Sequence, residues 1–329
     1  MPFRLCLLLL LALPLPALAV QTMSSAEDGC GKAAPASPPS EFNVIGTRRS
    51  AITVVPKGYN PNIRHDLVFA FHGRTNPARK VRGYFDLEQN ATRPTIVVYP
   101  RGLLEDPDED DEDDYAFTWW TMGEDPNQLR DFAFFDVMVQ RFRSQYCIGD
   151  IFAVGYSLGA SFANNLGCAR GDVLRAIATL GGGIERHLKC RGRVAAMILH
   201  NPKDRLAPFV YGERTRDKLL KLGDYSGAPV PTEPRDMNCV RYGALLAPYP
   251  LLWCPHRKDH SEYGSYYPHN WPNGLGKSIM RFFASLPKGT AWPQDNTPPV
   301  PPAIEPPPVI PPVPAAPVPD DDDDDDDDD

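Results

Sequence analysis

Nothing in this sequence is apolar for long enough to span a bilayer. The run from Cys6 to Ala12 falls far short of the ~20 residues a membrane helix needs, so stable membrane insertion is not expected. C-x-x-C and H-E-x-x-H spacings are both missing, which removes the common zinc and dithiol motifs. Lys and Arg form no dense run interleaved with aromatic residues, so no nucleic-acid partner is implied. The acidic stretch 105–114 has no glycine and no calcium-loop spacing, and reads as a solvated charge run. Internal repeats are absent as well. These absences exclude several classes and leave a globular body that works with its own side chains.

What is present begins at the two ends. Residues 1–19 place Arg4 before an apolar core and close on Ala17-Leu18-Ala19, the layout of a secretory signal peptide. Beyond Cys6, six cysteines remain, and an even number in an exported chain favours disulfides over metal ligation. A secreted or periplasmic location follows. The formal net charge of −8 conceals a basic body, because nine acids lie in 105–114 and ten in Asp320–Asp329. Setting those 19 aside leaves 23 acids against 34 Lys and Arg. Residues 294–319 are too Pro-rich for helix or sheet, and the Asp run 320–329 repels itself, so a linker and a disordered tail are expected there. That tail could bind cations or a basic partner. Residues 20–42 read as an N-terminal loop segment pinned by Cys30, which leaves 43–293 as one folded domain.

Inside that domain, short apolar runs alternate with amphipathic ones. Residues 67–71, 95–99, 151–154 and 195–199 read as buried strands. Residues 130–145 carry Phe134, Val137, Met138 and Phe142 on one helical face, and 158–169, 208–221 and 275–285 also read as helices. Apolar strands alternating with helices predict an α/β fold, a mostly parallel sheet covered on both faces.

Between the predicted strand 151–154 and the predicted helix from Leu158 stands Gly155-Tyr156-Ser157-Leu158-Gly159, a G-x-S-x-G pentapeptide. In that strand–turn–helix setting the pattern is a nucleophile elbow. Glycines are needed where side chains would collide, and the serine oxygen is held at a helix N-terminus that favours negative charge. A serine needs a base, and the base needs an orienting acid, in the chain order Ser, Asp or Glu, His. Asp204 lies just beyond the strand 195–199, where open sheets carry their functional groups. His269, in a Pro-flanked loop before the last helix, is the preferred base, with His260 and His256 as rivals; His200 and His72 read as structural. The Leu158 N–H and one from Arg74 or Thr75, in the loop after the first strand, are the expected oxyanion donors.

These residues carry a resemblance. FHG at 71–73, IVVYPRG, RDFAFFD, the segment YCIGDIFAVGYSLGASFANNLGCAR, and RAIATLGGG resemble the secreted α/β-hydrolase esterase family of feruloyl esterases and polyhydroxybutyrate depolymerases. PHNWPNG at 268–274 is similar to that family's GH-x-W-P segment, and GCGK at 29–32 to its mature start. The resemblance covers roughly 29–286. It implies an α/β-hydrolase fold, a serine carboxylic-ester hydrolase, and triad roles for Ser157, Asp204 and His269, with no metal or organic cofactor. Two departures stand out: Pro268 replaces the glycine before the histidine, and the loop 255–268 is longer than expected. The implied substrate is a feruloyl or acetyl ester on plant polysaccharide. A hydroxyalkanoate ester is the alternative, and a non-catalytic binding protein on the same scaffold is the rival from another class.

Tyr156, Trp119 and Trp120 are candidates to line the substrate, and core packing is the competing reading for the tryptophans. Cys239 and Cys254 flank a hairpin-like stretch and are expected to pair. Cys147 and Cys190 each precede a strand and are expected to pair as well, which leaves Cys30 with Cys168.

Overall fold

The computed structural model describes residues 28–75, 78–105, 116–119, 130–223, 225, 227–244 and 247–288. The readings on 1–19, on the acidic stretch after Glu105, on Trp120 and on 294–329 lie outside these residues. The chain divides after Gln294, and only its first unit holds described residues.

An antiparallel pair, β1 (Glu41–Val44) and β2 (Thr47–Val54), leads into β3 (His65–Phe71), helix α1 (Ala78–Phe85) and β4 (Thr95–Pro100). A small ribbon, β5 (Leu103–Leu104) with β6 (Phe117–Thr118), precedes α2 (Arg130–Gln145), β7 (Ile148–Tyr156), α3 (Leu158–Ala169), β8 (Ala176–Leu180) and β9 (Ala195–Leu199). Helix α4 (Phe209–Leu222), strands β10 (Val230–Pro231), β11 (Val240–Tyr242) and β12 (Leu251–Cys254), and helix α5 (Leu275–Ser285) follow.

Ten strands form one sheet in the order β1-β2-β4-β3-β7-β8-β9-β12-β11-β10. The six from β4 to β12 run parallel, and antiparallel strands close both edges. The β4-β3 reversal and the antiparallel β2 give the α/β-hydrolase arrangement. Alternation along β3 shows why both faces are covered. Leu67, Phe69 and Phe71 join the core beneath α2 and α3, while Val68 and Ala70 join the one beneath α1 and α5. Helix α5 reaches α1 through a glycine, since a Cβ on Gly276 would stand 1.9 Å from the Phe85 carbonyl oxygen. That contact fixes the helix following His269.

Cys239–Cys254 forms as expected, but the other two bridges are Cys30–Cys147 and Cys168–Cys190. The predicted Cys147–Cys190 pair fails because β8 lies between β7 and β9, the strands these cysteines precede. Two strand spacings, roughly 10 Å, exceed the reach of a disulfide. Instead, Gly171 bridges Gly192 and the Arg191 N–H donates to the Cys168 carbonyl at 2.7 Å, which brings Cys190 to the end of α3. Gly29 donates to the Arg143 carbonyl at 2.8 Å and lies flat on the end of α2, so Cys30 meets Cys147. The segment predicted as a loop to residue 42 gives way to β1 at Glu41.

Candidate active site

Strand β7 ends at Tyr156, α3 starts at Leu158, and Ser157 makes the whole turn with φ 55° and ψ −121°. That backbone is strained for a residue with a Cβ. It is held because the flanking glycines permit very close approach. A Cβ on Gly155 would lie 2.3 Å from the Gly159 carbonyl oxygen, and one on Gly159 would lie 2.3 Å from that of Phe71. The start of α3 therefore rests on the end of β3. The Ser157 N–H donates to the Leu180 carbonyl at 2.9 Å, and the residue stays half-exposed at the top of the sheet.

The structure brings Ser157, Asp204 and His269 together in series. His269 Nε2 stands 2.8 Å from Ser157 Oγ, and its Nδ1 stands 2.5 Å from Asp204 Oδ2. With Nδ1–H donating to the carboxylate, Nε2 is free to accept from the hydroxyl. Asp204 Oδ1 accepts the N–H groups of Leu206 and Ala207, each at 2.9 Å. Burial alone would raise the Asp204 pKa. The hydrogen bonds from His269 and the Ala207 N–H outweigh it and hold the carboxyl below its ordinary range, so it stays an anion facing the imidazole.

The other histidines have different places. His260 is exposed and pairs with Tyr266 across a hairpin. His256 is buried, and burial foremost pushes its pKa down to about 4. His200 is buried, donates from Nε2 to the Ala207 carbonyl at 2.7 Å, and is likewise lowered by burial. His72 donates from Nδ1 to the Gly73 carbonyl at 2.7 Å and accepts the Gly102 N–H on Nε2 at 2.9 Å. It is a neutral clamp on the turn after β3, and burial pushes it to about 4.

That turn meets the elbow directly. A Cβ on Gly73 would lie 3.3 Å from Ser157 Cβ, which sets Arg74 and Thr75 next in line beside the serine. Arg74 is held by Phe117, whose N–H donates to its carbonyl at 2.8 Å, and by Glu105, which accepts from Nε at 2.6 Å. Leu158 is the first residue of α3, so its N–H is one that the helix itself leaves without an acceptor.

Two aromatic readings need correction. Trp119 is 2% exposed, donates from its indole to the His72 carbonyl at 2.9 Å and stacks on Phe162, so it supports the turn from within the core. Tyr156 is buried, with its ring stacked on His269 and its hydroxyl donating to the His269 carbonyl. It positions the histidine and presents no open wall to a substrate. Trp120 lies outside the described residues.

Gly181 was not foreseen. Its φ is +69°, and a Cβ there would stand 3.0 Å from His269 Cε1 and 3.5 Å from Asp204 Oδ2. The imidazole and carboxylate thus lie against bare backbone at the end of β8. The signal was the glycine run 181–183 after an apolar stretch, which marks close backbone approach. Asn270 was missed too; its amide donates to the carbonyls of Lys258 at 2.9 Å and Tyr267 at 2.5 Å, stapling the loop beside His269. Among the described residues, no group of three or more His, Cys, Asp or Glu is placed to hold a metal ion.

No protein-family model matches the chain. Among curated proteins it is similar to feruloyl esterase D of Neurospora crassa, 25% identical over 276 residues that cover 77% of this chain and 88% of that protein. It is also similar to a probable feruloyl esterase C of Aspergillus terreus, 26% identical over 61% of this chain and 71% of that one. Among solved structures, an acetyl xylan esterase from Aspergillus awamori aligns with a TM-score of 0.47 and 16% identity, over 65% of this chain and 91% of that chain. The curated relatives support a feruloyl esterase-like carboxylic ester hydrolase, and the strand order and the elbow are those of the α/β-hydrolase fold.

Proposed function

We propose that this chain hydrolyses carboxylic esters through Ser157, His269 and Asp204, and that its substrates are feruloyl or acetyl esters carried on plant polysaccharide. The observation that carries the reading is the series of short contacts, 2.8 Å from Ser157 Oγ to His269 Nε2 and 2.5 Å from Nδ1 to Asp204 Oδ2, on a strained elbow. His269 takes the serine proton as Oγ bonds to the ester carbonyl carbon, and Asp204 stabilises the resulting imidazolium. The carbonyl oxygen, now negative, is received by the Leu158 N–H and by a backbone N–H of Arg74 or Thr75. The tetrahedral species collapses, His269 gives its proton to the departing alcohol, and an acyl-serine remains. Water attacks that ester with the same histidine as base, releasing the acid and restoring the hydroxyl.

The substrate class is supported by the names of the curated relatives, which are feruloyl esterases. Export is supported by the three disulfides, a feature of oxidising compartments. No helix among the described residues is long and apolar enough to cross a membrane.

Turnover of p-nitrophenyl acetate and methyl ferulate by the wild-type protein and by Ser157→Ala tests the mechanism. The substitution should lower kcat by roughly 10⁴-fold or more with the fold intact. Activity that survives it would reject the serine mechanism. Faster cleavage of a hydroxybutyrate oligomer than of methyl ferulate would overturn the substrate class.

A further inference from the structure

Large apolar side chains exposed on the described residues are not scattered evenly. Nine stand out, and six of them, Leu206, Val210, Tyr211, Tyr263, Tyr266 and Tyr267, fall on two segments that adjoin Asp204 and His269. Isolated exposed apolar residues need no explanation, but a concentration beside one site does.

The loop 255–268, longer than the family resemblance suggests, is where three of them sit. It folds as a small hairpin. The Ser261 N–H donates to the Ser265 carbonyl at 2.9 Å, that of Gly264 to Ser261 at 2.9 Å, and that of Tyr267 to Asp259 at 2.8 Å. Gly264 turns the tip with φ +81°. The hairpin is braced on both sides. Lys203 Nζ meets Asp259 Oδ2 at 2.5 Å and the Asn201 amide donates to Asp259 Oδ1 at 3.0 Å, tying it to the loop of Asp204. Asn270, next to His269, holds its base. The Tyr267 ring stands 6.1 Å from the His269 ring, and Tyr263 at the tip is 87% exposed. Tyr263 stands at the turned tip of the hairpin and Tyr267 at its base beside His269.

We infer that the 259–267 hairpin is a binding surface for the polymeric part of the substrate, a neutral polysaccharide chain laid across Tyr263 and Tyr266. The inference rests on the ester-hydrolase reading above, because an ester that reaches Ser157 must carry the rest of its molecule past this rim. The side chains select the occupant. Tyrosine rings offer flat apolar faces with a hydroxyl at the end, and His260, Ser261, Glu262 and Ser265 stand beside them on the same hairpin. Against an apolar polyester those polar groups would be desolvated without partners; against sugar hydroxyls they find them.

The experiment compares a small ester with a polymer. Tyr263→Ala combined with Tyr266→Ala should leave kcat/KM for methyl ferulate within twofold of wild type. Release of ferulate from insoluble feruloylated xylan should fall about tenfold, mainly through KM. Co-sedimentation with ester-free xylan should persist in Ser157→Ala, disappear when the two alanines are added, and return with Tyr263→Trp. Equal losses on both substrates, no loss on xylan, or retention on a polyester film in place of xylan would each overturn the inference. Failure of the serine mechanism reads out separately, as turnover surviving in Ser157→Ala, while sedimentation still reports on the hairpin.

Discussion

The two ends of the central sheet are built differently. At the carboxyl ends of the strands the backbone bends sharply at Ser157 and turns left-handed at Gly181, buried imidazoles gather around a carboxylate, and tyrosines face solvent. At the amino ends lie two of the three disulfides, Cys30–Cys147 and Cys168–Cys190, the third (Cys239–Cys254) closing the carboxyl end of β12, and Asp66 is buried 3.7 Å from Arg93. A parallel sheet points every strand the same way, so the loops that follow strands converge at one edge, free to carry chemistry. The opposite edge can be cross-linked without disturbing it.

The largest effect on this division should come from Gly181→Ala. Its methyl would press on His269 and Asp204, so kcat/KM on methyl ferulate should drop roughly 100-fold. The thermal midpoint should move by only a few degrees; lost stability with intact turnover would erase the distinction. Next in size, replacing Cys168 and Cys190 together by serine should lower the unfolding free energy by about 2–4 kcal/mol. Turnover at 25 °C should stay within twofold of wild type, and a large change would mean that the amino-end cross-link reaches the site.

Acid should weaken the carboxyl end. His72 and His256 are pushed by burial to about 4, against an ordinary value of 6.5. Between those values the unfolded chain binds protons that the folded one refuses, so stability should fall as pH drops through the window. Urea midpoints from pH 7 to 4.5 should record on the order of 1–3 kcal/mol per ring. The smallest effect lies at the amino end and has the opposite sign. Burial, with Asp150 nearby, outweighs Arg93 and raises Asp66 from 3.8 to about 6, so its favourable protonation is complete below the lower value and lost as pH rises through the upper one. Asp66→Asn should therefore stabilise the protein above pH 6 by about 1–2 kcal/mol and have little effect near pH 4. A stabilisation that does not vary with pH would show that the carboxyl is not the cause.

Much of this was legible in the sequence wherever local chemistry decides. Helices α2, α3 and α5 begin and end where periodicity and glycines indicated, and the G-x-S-x-G setting located the elbow. The apolar runs gave β3, β4, β7 and β9, although β7 extends further at both ends. What stayed hidden depends on which strands are neighbours. Cysteine partners follow from β8 lying between β7 and β9, an ordering that no local pattern records. Strands β1 and β2 were missed because Arg48 and Arg49 interrupt the apolar pattern, and the buried Arg49 is reconciled by Asp131 at 2.7 Å from α2, the Arg101 carbonyl at 3.1 Å and the face of Phe134. Trp119, for which the core reading holds, and Tyr156, read as a substrate contact, commit their polar atoms to the carbonyls of His72 and His269.

The turn at residue 157 has one more consequence. Glycine enters its φ and ψ freely, whereas any side chain there strains the backbone. A Ser157→Gly protein should withstand more heat than one carrying alanine at that position, while hydrolysing nothing. Under the proposed serine mechanism, durability and reactivity compete at a single carbon atom, and selection for heat resistance alone would lead this sequence away from that chemistry.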